Sequence, residues 1–285
     1  MIIVDKHACG LGSNFLKAID WMWYCKEAGH PVYIQWDEPN IFNALFPQKV
    51  SPPTQFTRNH MHVTQYVAQH FETHHPDALG NLFKDRDTDI PTYSSYDRGF
   101  LFCQSKLYHD PNLPKIRKMF KELFDEQATI NPKLNSVEVP ENTLGVHCRY
   151  LGHFFTTGPL NGSLTTQMTT EQFYARNIAD IKTAFEAGNY KHIYVSCHVQ
   201  AYFDKLKEAF KDKLMYQDYK RWDNEHVDTN DYSLGEYSIA LIDILNLSKC
   251  SHFINSISNF SFTTLILNPN LTFNLLPSID GLYGG

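Results

Sequence analysis

Residues 240–263, ALIDILNLSKCSHFINSISNFSFT, place an apolar helix, a short strand and a serine-rich turn directly after one another. The apolar spacing predicts a helix over 237–248, a strand over 252–256 and the start of a further helix at Asn259. A strand held between two helices is the repeating element of a parallel, doubly wound sheet. This stretch therefore predicts an α/β fold for the C-terminal half of the chain.

The same alternation continues upstream of this stretch. Residues 143–148 (TLGVHC) and 192–196 (HIYVS) read as strands, and residues 170–187 and 201–211 read as helices. The second half thus alternates β and α throughout, which favours a single doubly wound sheet.

The N-terminal half opens with a βαβ pattern. A short apolar run at 2–4 reads as a strand, HACGLGSN (7–14) as a glycine turn, 15–28 as a helix and 31–36 as a second strand. Pro114 suits the start of a helix over 115–127, and some helix is expected at 60–74.

Residues 129–142 are rich in Pro, Asn and Ser, and they look like a linker between domains. We therefore expect two domains, 1–138 and 139–285. The predicted architecture is α/β, with two Rossmann-like domains facing a central cleft.

Composition excludes several classes of protein. The net charge of −6 over 285 residues argues against a nucleic-acid coat protein, because phosphate backbones are bound by an excess of Lys and Arg. Six cysteines without CxxC spacing favour buried thiols in a reducing compartment. The start of the chain lacks the pattern of a signal peptide, and no window of about 18 apolar residues predicts a membrane span. We expect a cytoplasmic protein.

The segment GVHCRY at 145–150 is the strongest local feature. His147 and Arg149 lie on one side of the end of a strand, because side chains alternate along a strand. Ligands of open α/β sheets bind beyond the carboxyl ends of the strands, and Arg offers a rigid fork of hydrogen-bond donors to a diphosphate. The alternative is that Arg149 pairs with a carboxylate of a neighbouring loop.

The segment SISNFSFTT at 256–264 follows a strand and leads into an apolar helix. Backbone N–H groups at the start of a helix, together with Ser and Thr hydroxyls, can bind phosphate oxygens. An ordinary Ser or Asn helix cap explains the same residues equally well.

Asp243 stands within the apolar run YSIALIDILNL. A buried carboxylate must be paired or hydrogen-bonded, because an isolated buried charge costs several kcal/mol. A nucleobase, a ribose or another group of the protein could satisfy it, and a structural role is as well supported as a binding role.

The segment GLGSN at 10–14 lacks the third glycine of a dinucleotide fingerprint, so it only weakly indicates NAD binding. A tight turn between strand and helix explains its glycines. In a functional interpretation, Gly10, Gly12, Ser13 and Asn14 help to hold a substrate.

Two patterns suggest metal sites only superficially. The DxD sequence in DRDTD (85–89) follows NLFK, a poor strand, whereas a metal-binding DxD pair is expected after an apolar strand. The 14 histidines lack HxxxH or HExxH spacing. No metal site is expected.

The order of these features resembles the fucosyltransferase superfamily of nodulation-factor, core α-1,6- and protein O-fucosyltransferases. That superfamily carries an HxR motif after a strand, here HCR at 147–149, then an apolar helix with an internal Asp, a strand, and a Ser/Phe-rich turn. The N-terminal stretch 10–36, GLGSNFLKAIDWMWYCKEAGHPVYIQW, is similar to the family's opening turn, helix and strand.

The resemblance implies a GT-B glycosyltransferase that is metal-independent and inverting, and that takes a nucleotide sugar as donor and a glycan as acceptor. Arg149 would bind the diphosphate and stabilise the leaving group, and His147 and Asp243 would contact the nucleobase. The phosphates or the base would be held by four consecutive residues: Ser258, Asn259, Phe260 and Ser261.

The chain departs from the family pattern near the donor site. Tyr150, Leu151 and Gly152 stand where a second Arg and an acidic residue are frequent, and Cys197 and His198 replace acidic residues of core fucosyltransferases. GDP-fucose is therefore the leading donor, with a UDP-sugar such as UDP-xylose as the alternative. The missing membrane anchor suits a bacterial or viral enzyme.

An inverting transfer needs a base for the acceptor hydroxyl. Asp37 follows the second N-terminal strand on the expected acceptor side, and His153 lies close to Arg149 and titrates near neutrality. We favour Asp37. Two other readings stay open: a non-catalytic sugar- or nucleotide-binding module, and a dinucleotide-dependent oxidoreductase that uses GLGSN.

Overall fold

A computed structural model describes residues 2–6, 10–27, 29, 31–52, 108, 111–134, 138–148, 170–222 and 233–276. Arg149, His153, the DRDTD sequence and the helix expected at 60–74 lie outside the described residues.

The chain divides into two compact units. The first unit takes the described residues of Met1–Asn135, Asn230–Ser238 and Leu265–Pro269. The second unit takes those of Ser136–Thr229, Ile239–Thr264 and Asn270–Gly285. The domain boundary between residues 138 and 139 stays a prediction.

The first unit contains the expected βαβ element. Strand β1 (Ile2–Asp5) and strand β2 (Val32–Gln35) pair in parallel, with helix α1 (Leu11–Glu27) between them in the chain. Helix α1 ends before Gly29, whose φ of 67° lies in the left-handed region that favours glycine at this position. Helix α2 (Ile41–Leu45) and helix α3 (Leu113–Gln127) also belong to this unit.

Aromatic packing forms the core of the first unit. The rings of Phe15, Phe46 and Phe124 lie with centroids 5.2 to 5.4 Å apart and are almost fully buried. They come from α1, the end of α2 and α3. This cluster explains why an amphipathic α3 forms: its apolar stripe faces these rings.

The second unit is built on a five-stranded sheet. Its strands are β3 (Thr143–Cys148), β4 (His192–Cys197), β5 (Leu214–Met215), β6 (His252–Asn255) and β7 (Phe273–Leu275). The order is β5-β4-β3-β6-β7 and every pairing is parallel. The connecting helices are α4 (Thr170–Ala187), α5 (Gln200–Phe210), α6 (Leu234–Ser248) and α7 (Asn259–Leu267).

This strand order reverses between β3 and β6. The chain adds β4 and β5 on one side of β3 and then returns to add β6 and β7 on the other side. Such a reversal opens a crevice at the carboxyl ends of the two strands, which is where open α/β sheets bind ligands. His147 pairs with Asn255 at this edge.

Some elements differ from the sequence-based expectation. Helix α1 begins at Leu11 and not at Phe15, because Leu11 is buried and the Asn14 N–H already donates to the carbonyl of Gly10 at 3.2 Å. The turn expected at 7–14 therefore supplies the first turn of the helix from Leu11 onward. Among the described residues, no helix is long and apolar enough to cross a membrane.

Candidate nucleotide-binding edge of the second unit

His147, near the carboxyl end of β3, is buried and is held by serine hydroxyls. Its Nδ1 lies 2.7 Å from Oγ of Ser261 and 3.4 Å from Oγ of Ser258. The Ser261 hydroxyl in turn donates to the carbonyl of Ser256 at 2.8 Å. The strand end and the following turn are thus joined into one hydrogen-bonded cluster.

The start of helix α7 explains why these serines converge. Ser258 precedes the helix, and its Oγ accepts from the N–H of Ser261 at 3.1 Å, as an N-cap does. The Ser258 hydroxyl donates to Ser261 Oγ at 3.1 Å. The cap interpretation raised for this turn from the sequence is therefore correct for Ser258. It does not conflict with a binding role, because the other N–H groups of a first helical turn have no partner within the helix.

Phe260 sets the plane of the imidazole. Its ring stacks on that of His147, with centroids 4.4 Å apart and an interplanar angle of 23°. Ser256 adds a further constraint, because its N–H and its hydroxyl both donate to the His147 carbonyl, at 3.2 and 3.3 Å. Neither the ring nor the backbone of His147 is left to rotate freely.

Asp243 on α6 is buried and receives four hydrogen bonds from the second unit. Oδ1 accepts from Tyr194 Oη at 2.6 Å and from Gln217 Nε2 at 2.7 Å. Oδ2 accepts from Ser196 Oγ at 2.8 Å and from Tyr219 Oη at 3.4 Å. Ser196 is the register partner of His147 on the neighbouring strand.

Burial dominates the electrostatics of Asp243. Desolvation raises the pKa of its carboxyl group, and the hydrogen bonds from Tyr194, Gln217 and Ser196 and the charge of Arg221 oppose that rise. A carboxylate with this set of donors has the partners that burial demands. The geometry thus favours the structural role for Asp243, and its contact with a nucleobase stays a prediction.

Arg221 ties the segment after β5 to the end of β4. Its guanidinium is buried and donates to the carbonyls of Cys197, Tyr219 and Gln217 at 3.1, 3.3 and 2.9 Å. The guanidinium carbon lies 3.5 Å from the ring centroid of Phe203, a stacked cation–π contact. Residues 217–221 are therefore held in a fixed position beside β4.

The sequence analysis did not identify residues 217–221 as part of this edge. Gln217, Tyr219 and Arg221 alternate along QDYKR, so all three can face the sheet if the segment is extended. That alternation, next to the polar pair Tyr194 and Ser196 on β4, is the signal that would have identified it.

Asp37 lies in the first unit, after β2, with a φ of 58°. Its carboxylate forms an ion pair with Lys6, and both residues line an open pocket of about 390 Å³. The rest of the lining comes from the turn before α2, from α2 itself and from the start of α6: Glu38, Pro39, Asn40, Ile41, Ala44, Ser233 and Leu234.

The GLGSN residues also belong to the first unit. Gly10 precedes α1, and Gly12, Ser13 and Asn14 lie in its first turn. Asn14 is buried, and its side-chain amide donates to Tyr237 Oη at 3.1 Å and to the Gly10 carbonyl at 3.5 Å. This gives Asn14 a structural task that the sequence did not indicate.

The structure therefore brings together four predicted site residues at one edge of the second unit: His147, Ser258, Phe260 and Ser261. Asn259 lies in the same turn, as the first residue of α7. Asp243 is linked to this edge indirectly: it accepts a hydrogen bond from Ser196, which pairs with His147 on the neighbouring strand. Within the described part of the chain, no group of three or more His, Cys, Asp or Glu side chains could hold a metal ion, and independence from metal stays a prediction.

No protein-family model matches the sequence, and no curated protein matches it significantly. Solved structures do match. The fucosyltransferase NodZ from Bradyrhizobium is 13% identical, with a TM-score of 0.54 over 93% of this chain and 92% of NodZ. A NodZ α-1,6-fucosyltransferase crystal soaked with GDP-fucose is also 13% identical, with a TM-score of 0.50 over 93% and 91%. The chain has the fold of these fucosyltransferases, which confirms the expected α/β, GT-B-like class and, for the fold, the resemblance.

Proposed function

We propose that this chain is a glycosyltransferase that moves a sugar from a nucleoside diphosphate sugar to a glycan hydroxyl, with inversion and without a metal ion. GDP-fucose is the leading sugar donor. A UDP-sugar such as UDP-xylose is the alternative, because Tyr150, Leu151 and Gly152 depart from the pattern of fucosyltransferases.

One observation carries the proposal. His147 and the serine-rich start of α7 converge at the carboxyl edge of the sheet, where the strand order reverses between β3 and β6. In doubly wound sheets this is the place where nucleotides bind. The NodZ structures, which share this fold, include one soaked with GDP-fucose.

The chemistry at this edge suits the departure of a diphosphate. The first N–H groups of α7 carry the partial positive charge of a helix start, which favours phosphate oxygens. Arg149 follows His147 by two residues, and its planar guanidinium can donate two parallel hydrogen bonds to a diphosphate. Together these groups would stabilise the negative charge that develops on the leaving group, without a metal ion.

The acceptor hydroxyl requires a base, and Asp37 is our first candidate. It borders the pocket in the first unit, where a sugar hydroxyl could approach its carboxylate. Lys6, its partner in the ion pair, would orient the carboxylate. His153 is the second candidate, and transfer measured in Asp37→Asn and His153→Gln variants would choose between them.

A thermal-shift panel tests the proposed function. GDP or UDP at a concentration about 100 times its dissociation constant should stabilise the protein by about 2.7 kcal/mol, a rise of several degrees in melting temperature. Arg149→Ala should abolish that rise. Arg176→Ala, which removes an exposed arginine on α4, is the matched control and should keep it.

The same panel separates the competing functions. A shift without transfer or donor hydrolysis over long incubation would indicate a non-catalytic binding module. Stabilisation by NAD(P) but by neither GDP nor UDP would indicate an oxidoreductase. Loss of transfer in EDTA would contradict the metal-free mechanism.

A further inference from the structure

Three oxygen atoms and one ring nitrogen determine where the protons lie around His147. Ser261 Oγ is 2.7 Å from His147 Nδ1, 2.8 Å from the Ser256 carbonyl oxygen and 3.1 Å from Ser258 Oγ. Ser261 has one hydroxyl proton to donate and two lone pairs with which to accept. The carbonyl of Ser256 can only accept.

One assignment satisfies all of these contacts. If the Ser261 hydroxyl donates to the Ser256 carbonyl, the short contact to Nδ1 is a hydrogen bond only when Nδ1 carries a proton. Ser261 Oγ then accepts from Nδ1–H and from the Ser258 hydroxyl, which uses both of its lone pairs. Ser258 Oγ accepts from the Ser261 N–H at 3.1 Å.

The opposite assignment costs a buried hydrogen bond. If Ser261 donated to Nδ1, its Oγ and the Ser256 carbonyl oxygen would face each other at 2.8 Å with no proton from Ser261 between them. Two acceptors at that distance repel each other, and burial strengthens the repulsion because the local dielectric is low.

We propose that Ser261 is a positioning residue that holds His147 in the tautomer with the proton on Nδ1, so that Nε2 carries the lone pair of an acceptor. Phe260 fixes the ring plane by stacking, and the Ser256 carbonyl orients the Ser261 hydroxyl by accepting its proton. The second nitrogen of a histidine is set in this way by the hydrogen bond that the first one makes.

This tautomer specifies what His147 can recognise. An Nε2 lone pair accepts a hydrogen bond from an N–H or O–H group and repels a phosphate oxygen. In the proposed site, this lone pair suits the N–H edge of a nucleobase or a ribose hydroxyl, whereas the diphosphate suits the N–H groups at the start of α7. This consequence, unlike the tautomer itself, rests on the proposed function.

Nitrogen-15 NMR of protein labelled at histidine tests the tautomer directly, without any ligand. Spectra are recorded at pH 8, where a neutral imidazole distinguishes protonated from unprotonated nitrogens, and His147→Gln assigns the signals. The wild type should show a protonated Nδ1 and an unprotonated Nε2. Ser261→Ala should lose that pattern, and Ser261→Thr, which keeps a hydroxyl, should retain it.

Ser258→Ala is the structural control. It removes the cap of α7 and should lower the melting temperature, yet it leaves the Ser261 to Ser256 hydrogen bond and therefore the tautomer. A protonated Nε2 in the wild type, or an unchanged pattern in Ser261→Ala, would overturn the proposal.

Calorimetry with two ligands tests the recognition step. Ser261→Ala should weaken GDP binding by between about two-fold and about ten-fold, the scale of one hydrogen bond, and should leave pyrophosphate binding unchanged. Equal loss for both ligands would contradict the assignment of His147 to the base or ribose. Failure of the wild type to bind GDP and UDP would count against the proposed function, while the NMR result would still decide the tautomer.

Discussion

His252, the first residue of β6, links this strand to the residue before β7. Its Nδ1 lies 2.9 Å from Thr272 Oγ1, and partial burial lowers the pKa of the imidazole from its ordinary value of 6.5. The cause is desolvation, which disfavours the charged form. A histidine of this kind makes stability depend on pH in a predictable direction.

We expect the stability of the wild type to fall, relative to a His252→Asn variant, as the pH is lowered from 8 to 5. The folded-state pKa lies below the unfolded-state value, so the unfolded chain takes up the proton first and is favoured as the pH falls through 6.5. Urea unfolding of both proteins at several pH values measures the difference, in which the other histidines cancel. If the stability of the wild type minus that of the variant stayed constant, or increased as the pH falls, the result would contradict the direction of the pKa shift.

Asp243 shows how far a single residue can be predicted. Its position in an apolar run required a partner, and the structure supplies four of them. Which partners they are could not be read from the sequence, because Tyr194 and Ser196 lie on β4 and Gln217 and Tyr219 follow β5. The contacts depend on the order of the strands, which periodicity does not determine.

Within the first unit, Arg117 connects α3 to the C-terminal end of α7. From α3 its Nε donates to the carbonyl of Leu265 at 3.1 Å and its Nη2 to that of Asn268 at 2.7 Å. These carbonyls stand at the C-terminal end of α7, where they lack helical partners and where the helix dipole favours a cation. Burial lowers the pKa of Arg117 to about 10, so it stays charged at neutral pH.

Arg117→Met should lower the free energy of unfolding by about 2–4 kcal/mol, because it removes the two hydrogen bonds that the charged guanidinium donates to the carbonyls of Leu265 and Asn268. Arg117→Lys should cost less than Arg117→Met, since an ammonium keeps the charge but lacks the planar fork that reaches both oxygens. Chemical denaturation with urea measures both changes.

Lys118→Met is the matched control for this pair of variants. Lys118 lies on the same helix, is 74% exposed and is 3.9 Å from Glu122, so its removal should change stability by less than about 0.5 kcal/mol. A loss at Arg117 no greater than that at Lys118 would show that the contact with α7 contributes nothing.

Elements with a clear apolar pattern could be predicted from the sequence, and three of the shortest ones could not. The expected bounds of β3 and α4 and the expected start of α7 agree with the structure, because each is long enough to show alternation or helical spacing. Strands β5 and β7 have two and three residues, and α2 has five. Segments of that length carry no periodicity, and pairing with longer strands or packing in the core decides their structure.

At the scale of the whole chain, local alternation predicted two α/β regions but not the return of short segments to the first unit. Residues 230–238 and 265–269 belong to it through contacts that join residues far apart in sequence. Examples are Asn14 with Tyr237, 223 positions apart, and Arg117 with Leu265, 148 positions apart. Such contacts depend on tertiary structure, which a single sequence does not display as a pattern.

Hydrogen exchange should locate the nucleotide on the chain as a whole. With saturating GDP, or UDP if that binds better, we expect slower exchange in peptides that cover His147 and residues 255–262, because a bound diphosphate would occupy the backbone N–H groups at the start of α7. Peptides over 36–45, which contain Asp37, should change only when a glycan acceptor is added.

NAD serves as the control ligand and should protect neither region, and Arg149→Ala should abolish the protection by GDP. Unchanged exchange at both His147 and 255–262 under conditions where calorimetry shows full occupancy would place the nucleotide elsewhere and would reject the edge between β3 and β6 as the binding site.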